Sequence, residues 1–329
     1  MLSRYHLIAF AIGFAIIMLA IAHQIASPTK TLTTSTEERF LRYICTSRIV
    51  CGGWSDRWRG AVLAQLLARW TGRTFRMEWK KRPQNKSDPT LTLDMVFEDN
   101  SIFDPIPKRS TPCKRVNWID VSAPPVHKLY AGAYRDVRCI NLHANMFLSG
   151  RHASLYTEEA ARLWNRLRLR THLGREIASA PDNMRCAQIR NGGSEKFKDC
   201  TEEGTKCGGG VGFHGDSKRG DAYEQTVFEW LKLRGGATHL WTDWEAQEER
   251  FLVQNPRAVR VRGPIKHVDR AARISQRAFE RVVVEWALIA KCSQVWPMSG
   301  YIRTGLFLAP NATIFREAVV KAMIREERN

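Results

Sequence analysis

The chain of 329 residues is 44% apolar and 26% charged, which are the values of an ordinary globular protein. They exclude a disulfide-dominated miniprotein, a collagen-like chain, a coiled coil and wholesale disorder. Lys and Arg outnumber Asp and Glu by 51 to 33, so the net charge is +18. This charge favours an anionic partner, and the candidates are phosphates, nucleic acids, acidic glycans and membrane surfaces.

The N-terminus predicts insertion into a membrane. Residues 7–26 are almost entirely apolar, and about twenty such residues span the ~30 Å core of a bilayer. Arg4 precedes this run and only Lys30 follows it soon, so we expect residues 1–6 in the cytosol, a signal anchor at 7–26 and a Ser/Thr-rich stem at 27–39. The alternative is a signal peptide cleaved near residues 20–22, which would release a secreted protein.

Eight cysteines without a CxxC pair favour disulfides over a zinc site. Cys45 with Cys51, and Cys200 with Cys207, are close enough in sequence to close small loops, but the connectivity stays open, and free buried thiols are the alternative. Glycosylation sequons at residues 85–87 and 311–313 agree with a glycoprotein of the secretory pathway.

Apolar spacing predicts the elements of the first half. We expect a helix at 57–70, with Ser55 or Asp56 as its N-cap and Gly72 just past its end, and then a strand at 74–79. Residues 80–125 are predicted to be mostly loops, with one strand at 91–97. A long helix is expected from Thr157 to about residue 173, and its arginines are interpreted as a solvated face rather than a nucleic-acid site.

Strands and helices alternate from about residue 179. We expect strands at 185–190, 238–242, 258–261 and 294–296, and helices at 223–233, 245–253, 273–292 and 313–325. This alternation predicts a parallel sheet with helices on both faces, and in such sheets ligands bind beyond the carboxyl ends of the strands.

A glycine and arginine turn opens the first predicted helix. Gly52 and Gly53 permit close approach of backbone N–H groups to a ligand, and Asp56, Arg57 and Arg59 occupy the first helical turn. The positive end of the helix and two arginines favour an anion. The alternative is a capped turn with surface arginines.

Arg190 leaves a predicted strand and is followed by Gly192 and Gly193. A guanidinium beside glycine N–H groups suits phosphate oxygens, so we interpret these residues as an anion-binding turn. Residues 241–245 end the next strand and contain an Asp-x-Glu pattern, for which an N-cap is the simpler explanation. The GxGxxG match at 210–215 lacks the strand and helix of a dinucleotide site and is interpreted as a mobile loop.

The last segment predicted to face a phosphate or nucleoside lies between residues 263 and 305. It contains His267, then Glu285 on a helix, and then Ser299, Gly300 and Arg303 in a turn after a short strand. A Ser/Gly turn after a parallel strand is a common site for a phosphate or a nucleoside.

These segments, in this order, resemble the fucosyltransferase-like glycosyltransferases of the GT-B fold. That group includes the bacterial nodulation fucosyltransferase and the eukaryotic α-1,6- and protein O-fucosyltransferases. Residues 52–79 look like its opening block, 187–193 like its donor motif and 282–305 like its closing block. Gln188 and Glu285 stand where the family often has His and Asp, and residues 300–301 replace a Ser/Phe pairing.

The resemblance implies an α/β protein of the GT-B type, with two Rossmann-like domains facing a cleft and a transmembrane helix before them. Residues 40–178 would form the acceptor-side domain and 179–329 the nucleotide-sugar domain. It also implies a single-pass type II enzyme of the Golgi or another secretory membrane. GDP-fucose would be the co-substrate and a glycan or glycoprotein the acceptor, with no metal, no other cofactor and no nucleic-acid partner.

The resemblance also implies roles for single residues. Arg190 would contact the β-phosphate, Glu285 the nucleotide, and Ser299 and Arg303 the phosphate side. An inverting, metal-independent transfer builds charge on the leaving phosphate, which fixed cations such as Arg190 and Arg303 stabilise, and Asp56 is the candidate base. Two alternatives stay open: the same fold with another nucleotide sugar, and a membrane-anchored, non-catalytic protein that binds polyanions or glycans.

Overall fold

Two sheets of mainly parallel strands organise the protein. The computed structural model describes residues 38–46, 53–81, 91–98, 100–105, 113–118, 134, 136–145, 147, 153–189, 217–233, 235–265, 275–297 and 300–328. The strands β1 to β9 are Phe40–Thr46, Thr74–Lys81, Leu91–Thr92, Lys114–Trp118, Cys139–Ala144, Met184–Ile189, Thr238–Thr242, Cys292–Trp296 and Thr313–Ile314. The helices α1 to α8 are Trp54–Trp70, Leu155–Asn165, Thr171–Ser179, Ser217–Lys232, Glu245–Gln254, Gln276–Ala287, Gly300–Arg303 and Glu317–Arg328.

The first sheet has the strand order β3-β2-β1-β5-β4, and only the β2–β3 pair is antiparallel. Helix α1 packs closely on it because Gly60 has no side chain. A Cβ atom at Gly60 would lie 2.1 Å from the carbonyl oxygen of Ala144 in β5 and 2.6 Å from the ring of Tyr43 in β1. The helix therefore lies against the sheet at a distance that only glycine permits.

Helix α1 and strand β2 follow the prediction, except at the start of the helix. The N-cap is Gly53, and not Ser55 or Asp56 as predicted, because Asp56 Oδ2 reaches back to accept a hydrogen bond from Gly53 N at 3.2 Å. Gly72 follows the helix with φ of +59°, the left-handed conformation that a C-terminal glycine supplies.

Two predictions in the first half are wrong. The strand expected at 91–97 is two residues long and continues into a 3₁₀ turn, Leu93–Met95. The helix expected at 157–173 is broken into α2 and α3, because backbone groups between them bond elsewhere. Arg168 O accepts from Glu98 N at 2.7 Å and Arg170 N donates to Val96 O at 3.0 Å, which keeps the connection extended.

The second sheet is parallel throughout and has the order β7-β6-β8-β9. Every residue of β6 and β7 is buried, which confirms the prediction of a parallel sheet covered on both faces. The strand expected at 258–261 is reduced to one bridge between Ala258 and Thr238. The helix expected at 313–325 begins only at Glu317, after β9, and the helix expected at 273–292 ends at Ala287 in a 3₁₀ turn.

Aromatic side chains join the two sheets through one hydrophobic core. The ring centres of Trp58 on α1 and Trp286 on α6 are 5.0 Å apart, and those of Trp54 on α1 and Phe279 on α6 are 6.1 Å apart. Residues 39–329 accordingly form one compact unit. The sheets lie on either side of residue 178, and the domain boundary at that point stays a prediction.

Every cysteine in the described part of the chain is disulfide-bonded, so the alternative of free buried thiols is wrong there. Cys113 pairs with Cys139 and Cys186 with Cys292, whereas the predicted pairs both involve residues outside the described ranges. No helix within those ranges is long and apolar enough to cross a bilayer. The anchor expected at 7–26 lies outside them.

Candidate functional site

Three of the segments singled out in the sequence come directly after strands that end at the carboxyl edge of the second sheet. Strand β6 lies between β7 and β8, with Ile189 paired to Thr242 and Ala187 paired to Trp296. The three parallel strands therefore end at one edge. In the sequence, residues 190–193, 243–245 and 297–303 follow these three strands, and residues 190–193, 298 and 299 lie outside the described ranges.

The same edge is a topological switch point. The chain passes from β6 to β7 on one side and later returns to β8 on the other side of β6, and in open α/β sheets ligands bind where such connections diverge. The first sheet repeats this arrangement, since β1 lies between β2 and β5. Residues 52–53 follow β1 there, as residues 190–193 follow β6.

The predicted site residues are described in part. Six of them lie outside the described residues: Gly52, Arg190, Gly192, Gly193, His267 and Ser299. Gly53, Asp56, Arg57 and Arg59 lie in the first half, and Glu285, Gly300 and Arg303 in the second. For some of these described residues, contacts within the fold are enough to explain why the sequence pattern is present.

The turn before α1 is held by its own charged residues. Asp56 bonds Gly53 N through one carboxylate oxygen and the guanidinium of Arg59 through the other. Arg57 is 7% exposed, and its guanidinium lies 4.7 Å from the centre of the Trp79 ring. Part of the family-like block is thus explained by capping and by a buried cation–π contact.

Glu285 lies in the packed helix layer. Its Oε1 accepts from Arg281 Nε at 2.8 Å, and its side chain is 9% exposed. Burial raises the pKa of Glu285 to about 7, against the opposing effect of Arg281. The indole N–H of Trp241 in β7 donates to the backbone oxygen of Glu285 at 2.8 Å, so α6 is fastened to the sheet at this residue. A contact of Glu285 with a nucleotide stays a prediction.

Arg281 is the residue of this region that the sequence reasoning missed. It also bonds the carboxylate of Glu248 on α5 and the backbone oxygen of Gly263. The side chain of Arg281 is 2% exposed, and its guanidinium therefore forms ion pairs with two buried carboxylates. The i,i+4 spacing of Arg281 and Glu285 on a predicted helix is the signal that indicates this pair.

Helix α7 is fastened from both halves of the chain. Trp286 Nε1 donates to Tyr301 O at 3.1 Å, and Tyr301 donates its hydroxyl to Val282 O at 2.7 Å. From the first half, Tyr156 donates its hydroxyl to Thr304 O at 2.8 Å. Arg303 is exposed on this fixed segment.

Within the described ranges, no group of three or more His, Cys, Asp or Glu side chains is arranged to hold a metal ion.

The structure is similar to solved fucosyltransferase structures over most of its length. The α-1,6-fucosyltransferase NodZ soaked with GDP-fucose aligns with 83% of this chain and 93% of its own, with 15% identity and a TM-score of 0.49. Fucosyltransferase NodZ from Bradyrhizobium aligns with 82% of this chain and 92% of its own, with 14% identity and a TM-score of 0.48. POFUT1 in complex with GDP aligns with 86% of this chain and 99% of its own, with 7% identity and a TM-score of 0.49. No protein-family model and no curated protein sequence matches the chain.

Proposed function

We propose that the chain is a glycosyltransferase of the GT-B type that moves fucose from GDP-fucose to a glycan or glycoprotein. The observation that carries the proposal is the shared carboxyl edge of β7, β6 and β8. The arginine and glycine segment at 190–193 and the Ser/Gly turn with Arg303 both follow strands that end there. A diphosphate bound at this edge would have guanidinium groups and glycine N–H groups as neighbours.

The proposed reaction is an inverting displacement that needs no metal. Arg190 and Arg303 stabilise the charge that develops on the leaving GDP. Arg303 is suited to this because it is exposed on a fixed segment and forms no ion pair with any side chain in the described ranges. Asp56 acts as the base toward the acceptor hydroxyl, and its side chain is 31% exposed beside Arg59.

The proposed organisation assigns the acceptor to residues 40–178 and the nucleotide sugar to 179–329, with a cleft between them. Residues 7–26 anchor the enzyme as a type II protein of the Golgi or another secretory membrane, with secretion after cleavage as the alternative. A different nucleotide sugar on the same fold is the second candidate, because Gln188 and Glu285 depart from the family pattern.

A donor panel tests the proposal. The full chain is incubated with GDP-fucose, GDP-mannose or UDP-galactose, with and without EDTA, and the released sugar is measured. We expect hydrolysis of GDP-fucose that EDTA does not reduce, and a fall of about 10²–10³ in kcat for Arg303→Ala. Arg316→Ala is the matched control, because Arg316 is also exposed but lies at the start of α8. Preference for another donor would favour the second candidate, and hydrolysis of none would contradict a transferase.

A further inference from the structure

The connection between α2 and α3 presents a row of arginines. Residues 166–170 have the sequence Arg-Leu-Arg-Leu-Arg. Arg166 is the C-cap of α2 and keeps a helical backbone, and the chain is extended from Arg168 to Arg170, where it exchanges backbone hydrogen bonds with Glu98 and Val96. The two leucines turn inward and the three arginines are exposed. Alternate residues on one side of an extended chain are about 7 Å apart, which is the backbone spacing expected for Arg168 and Arg170.

Two further segments extend this row. Arg175 is exposed on α3, and the neighbouring Glu176 accepts a hydrogen bond from Arg262 N at 3.0 Å, which brings residues 260–262 alongside α3. Val261 is only 2% exposed, so the arginines on either side of it point outward. The arginine face is defined by these exposed residues: Arg166, Arg168, Arg170, Arg175, Arg260 and Arg262.

Within the described residues, no salt bridge joins the arginine face to a carboxylate, although the carboxylate of Glu176 accepts the backbone N–H of Arg262 beside it. None of its six guanidinium groups forms an ion pair with an acidic side chain in the described part of the chain. Other exposed arginines are paired, such as Arg162 with Glu158 and Arg250 with Glu224. Burial and the charge of Arg76 lower the pKa of Arg166. An exposed surface with this excess of positive charge favours an anionic partner.

We propose that the arginine face binds an acidic polysaccharide through its sulfate or carboxylate groups. Guanidinium groups bind such oxyanions in a forked geometry. The exposed large apolar residues of the described chain are Val253, Ile314 and Val319, and none belongs to this face. It therefore has neither the aromatic side chains on which single-stranded nucleic acids stack nor the apolar side chains that enter a membrane.

If the protein is the proposed transferase, the arginine face indicates that its acceptor is a negatively charged glycan. This assignment of the acceptor rests on the proposed function. The binding itself does not, because it requires no catalysis. Six contacts that each release a counterion predict a loss of about 10³-fold in affinity between 50 and 200 mM salt.

The test measures binding of the full chain to heparin as a function of salt. The variant Arg168→Gln/Arg175→Gln/Arg262→Gln removes three exposed charges whose side chains form no hydrogen bond or ion pair with the residues that the structure describes. The matched control Arg257→Gln/Arg316→Gln/Arg325→Gln removes three exposed charges elsewhere. We expect the slope of log affinity against log salt to fall by about 2 to 3 in the variant and to be unchanged in the control.

Equal loss in both triple variants would overturn the assignment of the face, and so would an unchanged slope in the first. Binding of polyuridylate or of anionic vesicles as tight as that of heparin would overturn the choice of a glycan. GDP-fucose hydrolysis is measured on the same samples and is expected to be equal in all three proteins. If hydrolysis is absent while heparin binding behaves as described, the proposed function fails and the binding face stands.

Discussion

Glu285→Gln tests the interpretation that a single guanidinium holds two buried carboxylates. Arg281 bonds both Glu285 and Glu248, and the three side chains are between 2% and 9% exposed. With both carboxylates ionised the group has a net charge of −1, which burial penalises. Burial therefore raises the pKa of Glu285 from 4.5 to about 7.

The raised pKa of Glu285 determines whether the free energy of unfolding rises or falls with pH. Because the folded chain holds the proton of Glu285 more tightly, the unfolded chain loses its proton first as the pH rises. The free energy of unfolding therefore falls between pH 4.5 and about 7. At 1.36 kcal/mol for each pKa unit, this fall is about 3 kcal/mol.

Urea denaturation at pH 5, 6, 7 and 8 measures the effect. We expect the wild type to lose about 2–3 kcal/mol relative to Glu285→Gln between pH 5 and pH 8, because the variant has no proton to lose. Glu158→Gln is the control, since it breaks an exposed Glu–Arg pair of the same i,i+4 spacing. Parallel pH profiles for the wild type and Glu285→Gln would refute the reasoning. A loss of GDP affinity in this variant would support the donor role implied by the family resemblance.

Two further predictions concern packing and covalent structure. Gly60→Ala is expected to destabilise the protein by roughly 1–3 kcal/mol, because the new Cβ meets the backbone of Ala144. Gly174→Ala, on α3 with open space around it, is expected to stabilise by about 0.5–1 kcal/mol; similar values for both in thermal unfolding would contradict this account of α1. Replacing Cys186 and Cys292 by Ala opens a loop of 106 residues and is expected to cost about 2–5 kcal/mol. An unchanged free energy of unfolding after the double replacement would be inconsistent with a formed disulfide.

Elements with a clear period are those that the sequence predicted well. Strands β6 and β7 were predicted from the alternation of short strand-like segments with helical ones, although Arg185 and Gln188 interrupt β6. Helix α1 carries apolar residues at helical spacing. The connection at 166–170 shows the opposite case. Its alternation of arginine and leucine is a period of two, typical of an extended chain, but its place after a helical stretch favoured continuing the helix.

Strands β1, β4 and β5 were not predicted, and β1 contains a polar residue whose partners lie far away in the sequence. Arg42 in β1 donates to Asn141 in β5 at 3.0 Å and to Glu78 in β2 at 2.9 Å. These partners are 99 and 36 residues away in sequence. A polar residue that is satisfied by a neighbouring strand looks like a loop residue until the strand order is known.

The sheet edge at which the site is proposed was predictable, but the buried charges near it were only partly so. Alternation of strands and helices predicted that residues 190–193 and 297–303 leave one edge, and the register of β6 with β8 agrees with it. The contact of Arg281 with Glu248 joins residues 33 apart on two helices. No periodicity in the sequence indicates which helices pack together.

The most direct test of the central claim compares the thermal stability of the wild type and Arg190→Ala with and without GDP. The claim is that the segment after β6 binds the diphosphate. GDP at about 100 times its Kd is expected to stabilise the wild type by about 2.7 kcal/mol, a rise in Tm of several degrees. UDP is expected to give a smaller rise. Arg190→Ala is expected to keep its Tm without ligand and to lose most of the rise with GDP, whereas an equal rise in both proteins would contradict the account.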